Sequence, residues 1–245
     1  MRRIVSVWLP NWPIERFRRL VPHAVPRGEP FALAASGRHG LVVTALTAEA
    51  ERGGIRAGMT LADARALLPA LASRPAEPAA DRRALHRLAR WSGRYGPNRN
   101  IDIGSASGDS DDHLLLDHGL WVDITGVAHL YGGEEALLAD FARRLAGFGL
   151  TARIGLADTL GAAHALARYA TRTTGHASGE DKPWRIAPRG QTAAVLASLP
   201  AAALRIREDD ILTLRRLGLR RIGDLPALPR QSLERRLRGH VGHPP

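Results

Sequence analysis

Two acidic residues in the middle of the chain are candidates for chemistry that depends on a divalent metal. Asp117 stands at the entrance of a predicted hairpin, and Asp123 lies near the end of the strand that follows. Carboxylates on adjacent strands can hold two Mg²⁺ ions, which activate a hydroxyl and neutralise a triphosphate. Both residues also have a local explanation, since Asp is common in turns and Asp123 can close a strand end. From these two residues alone we therefore predict no metal site.

The other residue types that ligate metals do not form a site either. Asp109, Asp111 and Asp112 lie in a polar loop, where a solvated loop tip is a simpler explanation than a cation site. The chain has no cysteine, which excludes disulfides, cysteine–zinc sites, iron–sulfur clusters and thiol nucleophiles. The ten histidines are scattered without the spacing of metal ligands: His23, His39, His86, His113, His118, His129, His164, His176, His240 and His243.

A basic hairpin towards the end of the chain is the strongest indication of binding. In a helix–hairpin–helix, backbone N–H groups at a helix start suit a DNA phosphate, and nearby arginines supply charge. Such contacts hold the DNA backbone and do not read bases, so we predict non-specific binding. The alternative is an ordinary helical turn with solvated arginines. The candidate DNA-binding residues are Arg215, Arg216, Gly218, Arg220, Arg221 and Gly223.

The charge of the chain points in the same direction. The 245 residues carry a formal net charge of +11, and residues 201–245 contribute ten arginines against five acids, a net +5. A basic protein attracts phosphate-bearing partners in a salt-dependent way. Lys182 is the single lysine, and Arg, Ala and Gly are abundant. This composition is also typical of GC-rich coding sequence, so part of the excess positive charge has an explanation unrelated to binding. No apolar run has the length of a membrane span, so we expect a soluble, cytoplasmic protein.

The pattern of apolar residues predicts an α+β protein. A ferredoxin-like core is followed by an all-helical basic module, and the Pro/Ala-rich segment 69–80 is a predicted hinge. The turn at residues 117–119 is expected to join two strands as a hairpin. The predicted strands are 3–9, 31–35, 40–45, 113–116, 120–124 and 151–156, and the predicted helices start near residues 11, 47, 60, 81, 133 and 159.

Three segments of the chain resemble the Y-family (translesion) DNA polymerases. Residues 40–64 are similar to the fingers of that family, residues 120–126 to a palm strand, and residues 199–225 to the helix–hairpin–helix of the thumb. The resemblance implies a ferredoxin-like palm with a small α/β fingers insertion and an all-helical thumb that contains the helix–hairpin–helix. The implied boundaries are 1–12 and 80–167 for the palm, 13–79 for the fingers and 168–245 for the thumb, with the family's little finger and C-terminal tail absent.

The departures from the family pattern fall on the positions that perform its chemistry. A metal-binding Asp and a second acid belong at the end of the first strand, and an Asp-Glu pair belongs at the palm hairpin. The triphosphate-binding Tyr and Arg belong in the fingers. This chain instead has Trp8 and Pro10, His118 and Gly119, and Ala48 and Glu51 at these three places. Neither Trp nor Pro can ligate Mg²⁺, and Glu51 would repel phosphates, so we predict that the scaffold is kept without its metal chemistry.

This pattern resembles the ImuB subfamily, the catalytically silent Y-family homologues of bacterial mutagenesis cassettes. The resemblance implies a nucleoid-associated adaptor that binds primer–template DNA in damage-induced (SOS) translesion synthesis and DNA repair. It also implies three protein partners: the sliding clamp, a RecA-like accessory protein and an error-prone replicative-type polymerase. No cofactor is expected. Two alternatives remain open: a low-fidelity polymerase that uses displaced carboxylates and Mg²⁺, and an interaction scaffold that no longer contacts DNA.

Overall fold

The computed structural model describes residues 2–25, 28–38, 40–103, 118–170, 182–206 and 208–227. Its contacts divide the chain into a larger unit, residues 7–153, and a smaller unit made of residues 1–6 and 154–245. The predicted strand 113–116 and the residues Asp109, Asp111, Asp112 and Asp117 lie outside the described ranges. The division into palm, fingers and thumb stays a prediction.

Eight strands and eight α-helices make up the described regular structure. The strands are β1 (Ile4–Trp8), β2 (Phe31–Gly37), β3 (Gly40–Leu46), β4 (Ala72–Pro75), β5 (Arg99–Ile103), β6 (His118–Asp123), β7 (Arg153–Ala157) and β8 (Trp184–Ile186). The helices are α1 (Trp12–Leu20), α2 (Ala48–Arg52), α3 (Leu61–Leu67), α4 (Pro78–Trp91), α5 (Glu134–Gly147), α6 (Leu160–Ala165), α7 (Thr192–Leu196) and α8 (Glu208–Arg216).

A three-stranded sheet in the larger unit has the order β3-β2-β4. β2 and β3 lie where two strands were predicted and pair antiparallel, and the buried side chains of Val43, Ile55 and Leu61 pack beneath them. The prediction that residues 69–80 form a hinge is wrong for the middle of this segment, where β4 pairs in parallel with β2. A four-residue strand in a Pro- and Ala-rich context carries too little apolar periodicity to be recognised.

The larger unit also contains the antiparallel pair β5 and β6, in which Ile103 lies opposite His118 and Asp102 opposite Gly119. His118 and Gly119 are therefore strand residues, and the prediction that they belong to a turn is wrong. β5 alternates polar and apolar residues over four positions only, a weak signal for a strand. Helices α1, α4 and α5 belong to the same unit, and α4 begins at a proline, which suits the first turn of a helix.

In the smaller unit β7 pairs in parallel with β8, and the first residues of β1 belong to this unit. β8 lies in the segment predicted to be all-helical, so the described part of that segment contains one short strand. Gly155 in β7 lets a helix approach closely, since a Cβ there would lie 2.1 Å from the carbonyl oxygen of Ala163. Within the ranges that are described, no helix is long and apolar enough to cross a membrane.

Candidate functional site

The end of β1 and the start of β6 are tied together by a backbone hydrogen bond. The N–H of Leu9 donates to the carbonyl oxygen of His118, at 2.9 Å. Leu9 lies between Trp8 and Pro10 in the chain, and Gly119 follows His118. One end of these two strands therefore brings together the four positions where the family pattern places carboxylates: Trp8, Pro10, His118 and Gly119.

A guanidinium group lies over the aromatic ring of Trp8 at this strand end. Trp8 is half-buried, and the guanidinium carbon of Arg153 lies 5.2 Å from the centroid of its ring. This distance is within the range of a cation–π contact. Arg153 opens β7, and nothing in its sequence neighbourhood indicated this contact, which depends on the tertiary arrangement. A fixed positive charge beside the ring disfavours a second cation.

Trp12, three residues beyond Leu9, is a buried aromatic residue. Its indole N–H donates to the backbone carbonyl of Asp81 at 3.2 Å. The ring therefore fills the contact between α1 and α4, and a base-stacking role for it is not supported by this geometry.

Asp123 stands at the far end of β6 from His118 and Gly119. Five residue steps separate it from His118, which corresponds to about 17 Å along a strand. One carboxylate oxygen of Asp123 accepts hydrogen bonds from the backbone N–H and the hydroxyl of Thr125. These bonds close the end of the strand, the local role that the sequence also indicated.

Asp102 is a buried carboxylate that the sequence prediction missed. It is 7% exposed and lies opposite Gly119 in the β5–β6 pair. Asp102 was not among the predicted site residues because the sequence did not identify β5 as a strand. Among the residues that the structure describes, no group of three His, Asp or Glu side chains could hold a metal ion. A single acid opposite Gly119 does not fit the Mg²⁺ pair that the family pattern implies.

The two fingers positions, Ala48 and Glu51, lie on the short helix α2 and are both exposed. Ala48 borders a cleft of about 310 Å³, whereas Glu51 does not line it. The charged side chains of this cleft are Glu15, Arg18 and Glu49. A backbone hydrogen bond, followed by bonds and charges from Thr47 and neighbouring arginines, holds the pKa of Glu49 below its usual value. A cleft with two carboxylates and one guanidinium does not favour a triphosphate.

The basic hairpin is formed in the smaller unit. α8 ends at Arg216, and Gly218 turns the chain with a φ of 80°, a conformation that favours glycine. Leu219 is then buried against Leu214, which fixes the hairpin on its apolar side. All four arginines of the prediction are exposed to solvent: Arg215, Arg216, Arg220 and Arg221.

The backbone N–H groups of this hairpin are already used within the protein. One carboxylate oxygen of Asp224 accepts from the N–H of Arg220 at 3.0 Å and from that of Arg221 at 2.8 Å. The N–H of Gly223 donates to the carbonyl of Ala197 at 2.9 Å. The expectation of free N–H donors for a phosphate is therefore wrong at these positions. Any phosphate contact here has to come from the arginine side chains.

Comparison with known proteins identifies the family of the chain. The model of the impB/mucB/samB family matches residues 15–168, which is more than half of the chain. The chain belongs to the impB/mucB/samB family. Two curated members called Protein ImuB, from two strains of Caulobacter vibrioides, are each 44% identical to it over 183 residues. That match covers 75% of this chain and 35% of each ImuB protein, so the chain spans about a third of their length.

Solved structures extend the impB/mucB/samB assignment to the fold. DinB from Sulfolobus solfataricus matches with a TM-score of 0.69 at 17% identity, and covers 95% of this chain and 62% of its own. An insertion ternary complex of Dbh DNA polymerase matches with a TM-score of 0.70 at 18% identity and the same coverage. The resemblance to Y-family polymerases and the α+β fold class with palm and fingers are confirmed.

Proposed function

We propose that this chain is a non-catalytic Y-family homologue that acts as a DNA-binding adaptor in error-prone translesion synthesis. The observation that carries the proposal is the strand end at Leu9 and His118, where Trp8 and Arg153 stand in place of acidic ligands. Phosphoryl transfer in this family needs metal ions that neutralise a triphosphate. A palm that supplies an aromatic ring and a guanidinium keeps the shape of the polymerase without its reaction.

DNA binding is supported by the exposed arginines of the basic hairpin and by the excess positive charge of the chain. Guanidinium groups grip phosphates through charge and hydrogen bonds, independently of base sequence. The Dbh polymerase of similar fold is known from ternary and binary complexes. We propose that this surface binds a primer–template.

The protein partners of the adaptor follow from its relation to ImuB proteins. We propose the sliding clamp, a RecA-like accessory protein and an error-prone replicative-type polymerase as partners. A damage-induced (SOS) role in DNA repair, at the nucleoid in the cytoplasm, belongs to the same proposal.

A second candidate function is an interaction scaffold that does not contact DNA. The observation that favours it is Asp224, whose carboxylate occupies the backbone N–H groups of Arg220 and Arg221 and places a negative charge in the hairpin. In that case the arginines are solvated, and the positive charge of the chain does not serve DNA binding.

The experiment that separates these functions is a binding titration with a fluorescent primer–template over a series of salt concentrations. The adaptor predicts measurable affinity at low salt and a linear decrease of log K with log[salt]. It also predicts the same affinity for unrelated sequences of equal length. Negligible affinity at low salt would overturn the adaptor and support the scaffold.

A further inference from the structure

A groove in the larger unit lies between α1 and α4, away from the Trp8 strand end and the Ala48 cleft. It has a volume of about 350 Å³ and is lined by residues of both helices and by Phe148 and Leu150. Its floor is apolar, with Trp12, Leu88 and Leu150 buried. Leu20 forms an exposed apolar rim, with 64% of its surface open to solvent. The groove therefore presents an apolar surface that the described chain leaves uncovered.

One end of the groove is held rigid by a buried ion-pair network. The Nε–H of Arg16 in α1 donates to Asp81 in α4, and a second guanidinium nitrogen pairs with Glu77 at 2.8 Å. Burial works against the charge of Asp81, and its pKa lies above the usual value although Arg16 acts in the opposite direction. Arg16 is therefore paired with both carboxylates, Asp81 and Glu77, at this end of the groove.

The exposed face of α4 beside the groove is basic, and Arg87 of this face lines the groove. Beyond the first turn, the exposed positions of α4 recur with helical spacing and all carry basic side chains. Within the part of the chain that is described, no ion pair or hydrogen bond engages the guanidinium groups of Arg82, Arg83, Arg87 or Arg90. From the facing helix Arg19 adds a further charge. The basic exposed residues of α4 are Arg82, Arg83, His86, Arg87 and Arg90.

The aromatic rings beside the groove are not free to stack on nucleobases. Arg94 lies over the ring of Trp91 at 4.8 Å, and Arg19 lies over the ring of Phe148 at 5.8 Å. Trp91 also meets Phe148 edge-on, with ring centroids 4.9 Å apart. Sequence-independent binding of single-stranded nucleic acid uses open aromatic faces, and this groove offers aliphatic surface and arginines instead.

From this combination we propose that the α1–α4 groove binds an acidic, amphipathic peptide segment of a partner protein. Apolar side chains of the segment enter the groove over Leu88 and Leu20, and its carboxylates pair with Arg83, Arg87 and Arg19. Helix-in-groove recognition takes an apolar peptide face in this way, and complementary charge fixes its orientation. The inference does not depend on the proposed adaptor function, because an active polymerase can carry the same surface.

The test uses the full chain and a short fluorescein-labelled peptide in which Glu and Leu alternate with helical periodicity. Two control peptides are matched to it, one with each Glu replaced by Gln and one with each Leu replaced by Ser. Binding of the parent peptide alone supports the proposal, since both its charge and its apolar face are then required. Equal binding of the Leu-to-Ser peptide, or no binding of the parent peptide, overturns it.

Variants of the protein localise the binding. The double variant Arg83→Glu and Arg87→Glu should weaken binding of the parent peptide at least about tenfold, which corresponds to roughly 1.4 kcal/mol. Leu20→Ser should weaken it without changing the net charge. The matched control, Arg215→Glu and Arg216→Glu, makes the same change of charge in the smaller unit and should leave peptide affinity unchanged. Unchanged affinity in the α4 double variant overturns the proposal. If that variant instead loses binding of an oligo-dT probe, this face is a nucleic-acid surface and the proposal is wrong.

Discussion

The guanidinium of Arg153 lies over the indole ring of Trp8, 5.2 Å from its centroid. The pair occupies the strand end where a Y-family palm would hold acidic metal ligands. Trp8 is half-buried, so its ring contributes both apolar contact and a cation–π interaction to the larger unit. Trp8 is therefore part of the packing of the strand end.

This relationship predicts that Trp8→Ala destabilises the protein while Trp8→Phe largely preserves it. A half-buried ring loses less than the 3–5 kcal/mol of a fully buried one, and we expect about 1–3 kcal/mol for Ala. Phe keeps an aromatic face for Arg153, so its cost should be under about 1 kcal/mol. Urea denaturation of the full chain measures both values. Equal stability of Trp8→Ala and the parent protein would contradict this account of the strand end.

The basic hairpin predicts a change in the salt dependence of DNA binding. In the double variant Arg220→Ala and Arg221→Ala, two phosphate contacts are lost, and the slope of log K against log[salt] should become shallower by about 1–2. Fluorescence anisotropy with a labelled primer–template measures the slope. Arg83→Ala with Arg87→Ala is the matched control, because it removes the same charge from α4. An unchanged slope in the hairpin variant would show that DNA is held elsewhere or not at all.

Asp224 predicts opposite effects on stability and on DNA binding. Asp224→Ala removes the acceptor of the backbone N–H groups of Arg220 and Arg221; because these groups are exposed and can bind water instead, the loss of stability should be about 0.5–1.5 kcal/mol. The same change removes a negative charge beside the arginines, so affinity for a primer–template should rise. Asp224→Asn keeps an acceptor oxygen without the charge and should gain affinity at a smaller loss of stability. Weaker DNA binding in both variants would contradict the side-chain mode of phosphate contact.

The acid stability of the smaller unit should depend on Asp158. The backbone N–H of Gly190, together with the side chains of Arg3 and Thr192, holds the pKa of Asp158 below its ordinary value of 3.8. The folded state therefore favours the ionised form. The resulting stability is complete above the ordinary pKa and is lost as the pH falls through the lower, folded-state value.

Asp158→Asn should accordingly reduce stability at pH 7 and flatten its decrease below about pH 4. Denaturation midpoints at several pH values measure the effect. Glu51→Gln is the control, since it removes one carboxylate from an exposed position of the larger unit. If Asp158→Asn and the parent protein lose stability in parallel on acidification, the ion pair with Arg3 does not have this role.

Local signals in the sequence predicted the local structure well. β2 and β3 cover the two predicted strands, and the helix predicted to start near residue 60 is capped by Thr60, which accepts the N–H of Asp63 at 3.1 Å. Both features depend on residues a few positions apart, where side-chain chemistry and backbone preference act directly. The strand end was located correctly for the same reason, because Pro10 cannot continue a strand ladder.

The features that escaped prediction depend on residues distant in sequence. The contact of Arg153 with Trp8 joins positions 145 residues apart. The position of Asp102 opposite Gly119 depends on the pairing of β5 with β6, which the sequence did not predict. The occupied N–H groups of the hairpin are a different case. Asp224 lies only three residues beyond Arg221, but which N–H groups its carboxylate reaches depends on how the turn is folded.

Single-turnover primer extension tests the loss of nucleotidyl transfer most directly. The protein is mixed with a labelled primer–template at a concentration and salt at which binding has been demonstrated, with all four deoxynucleotides and either Mg²⁺ or Mn²⁺. The account predicts no extended primer with either metal, because Trp8, Pro10, His118 and Gly119 supply no carboxylate. Templated incorporation that disappears in Asp102→Asn or Asp123→Asn would contradict it and show that displaced acids hold the metal.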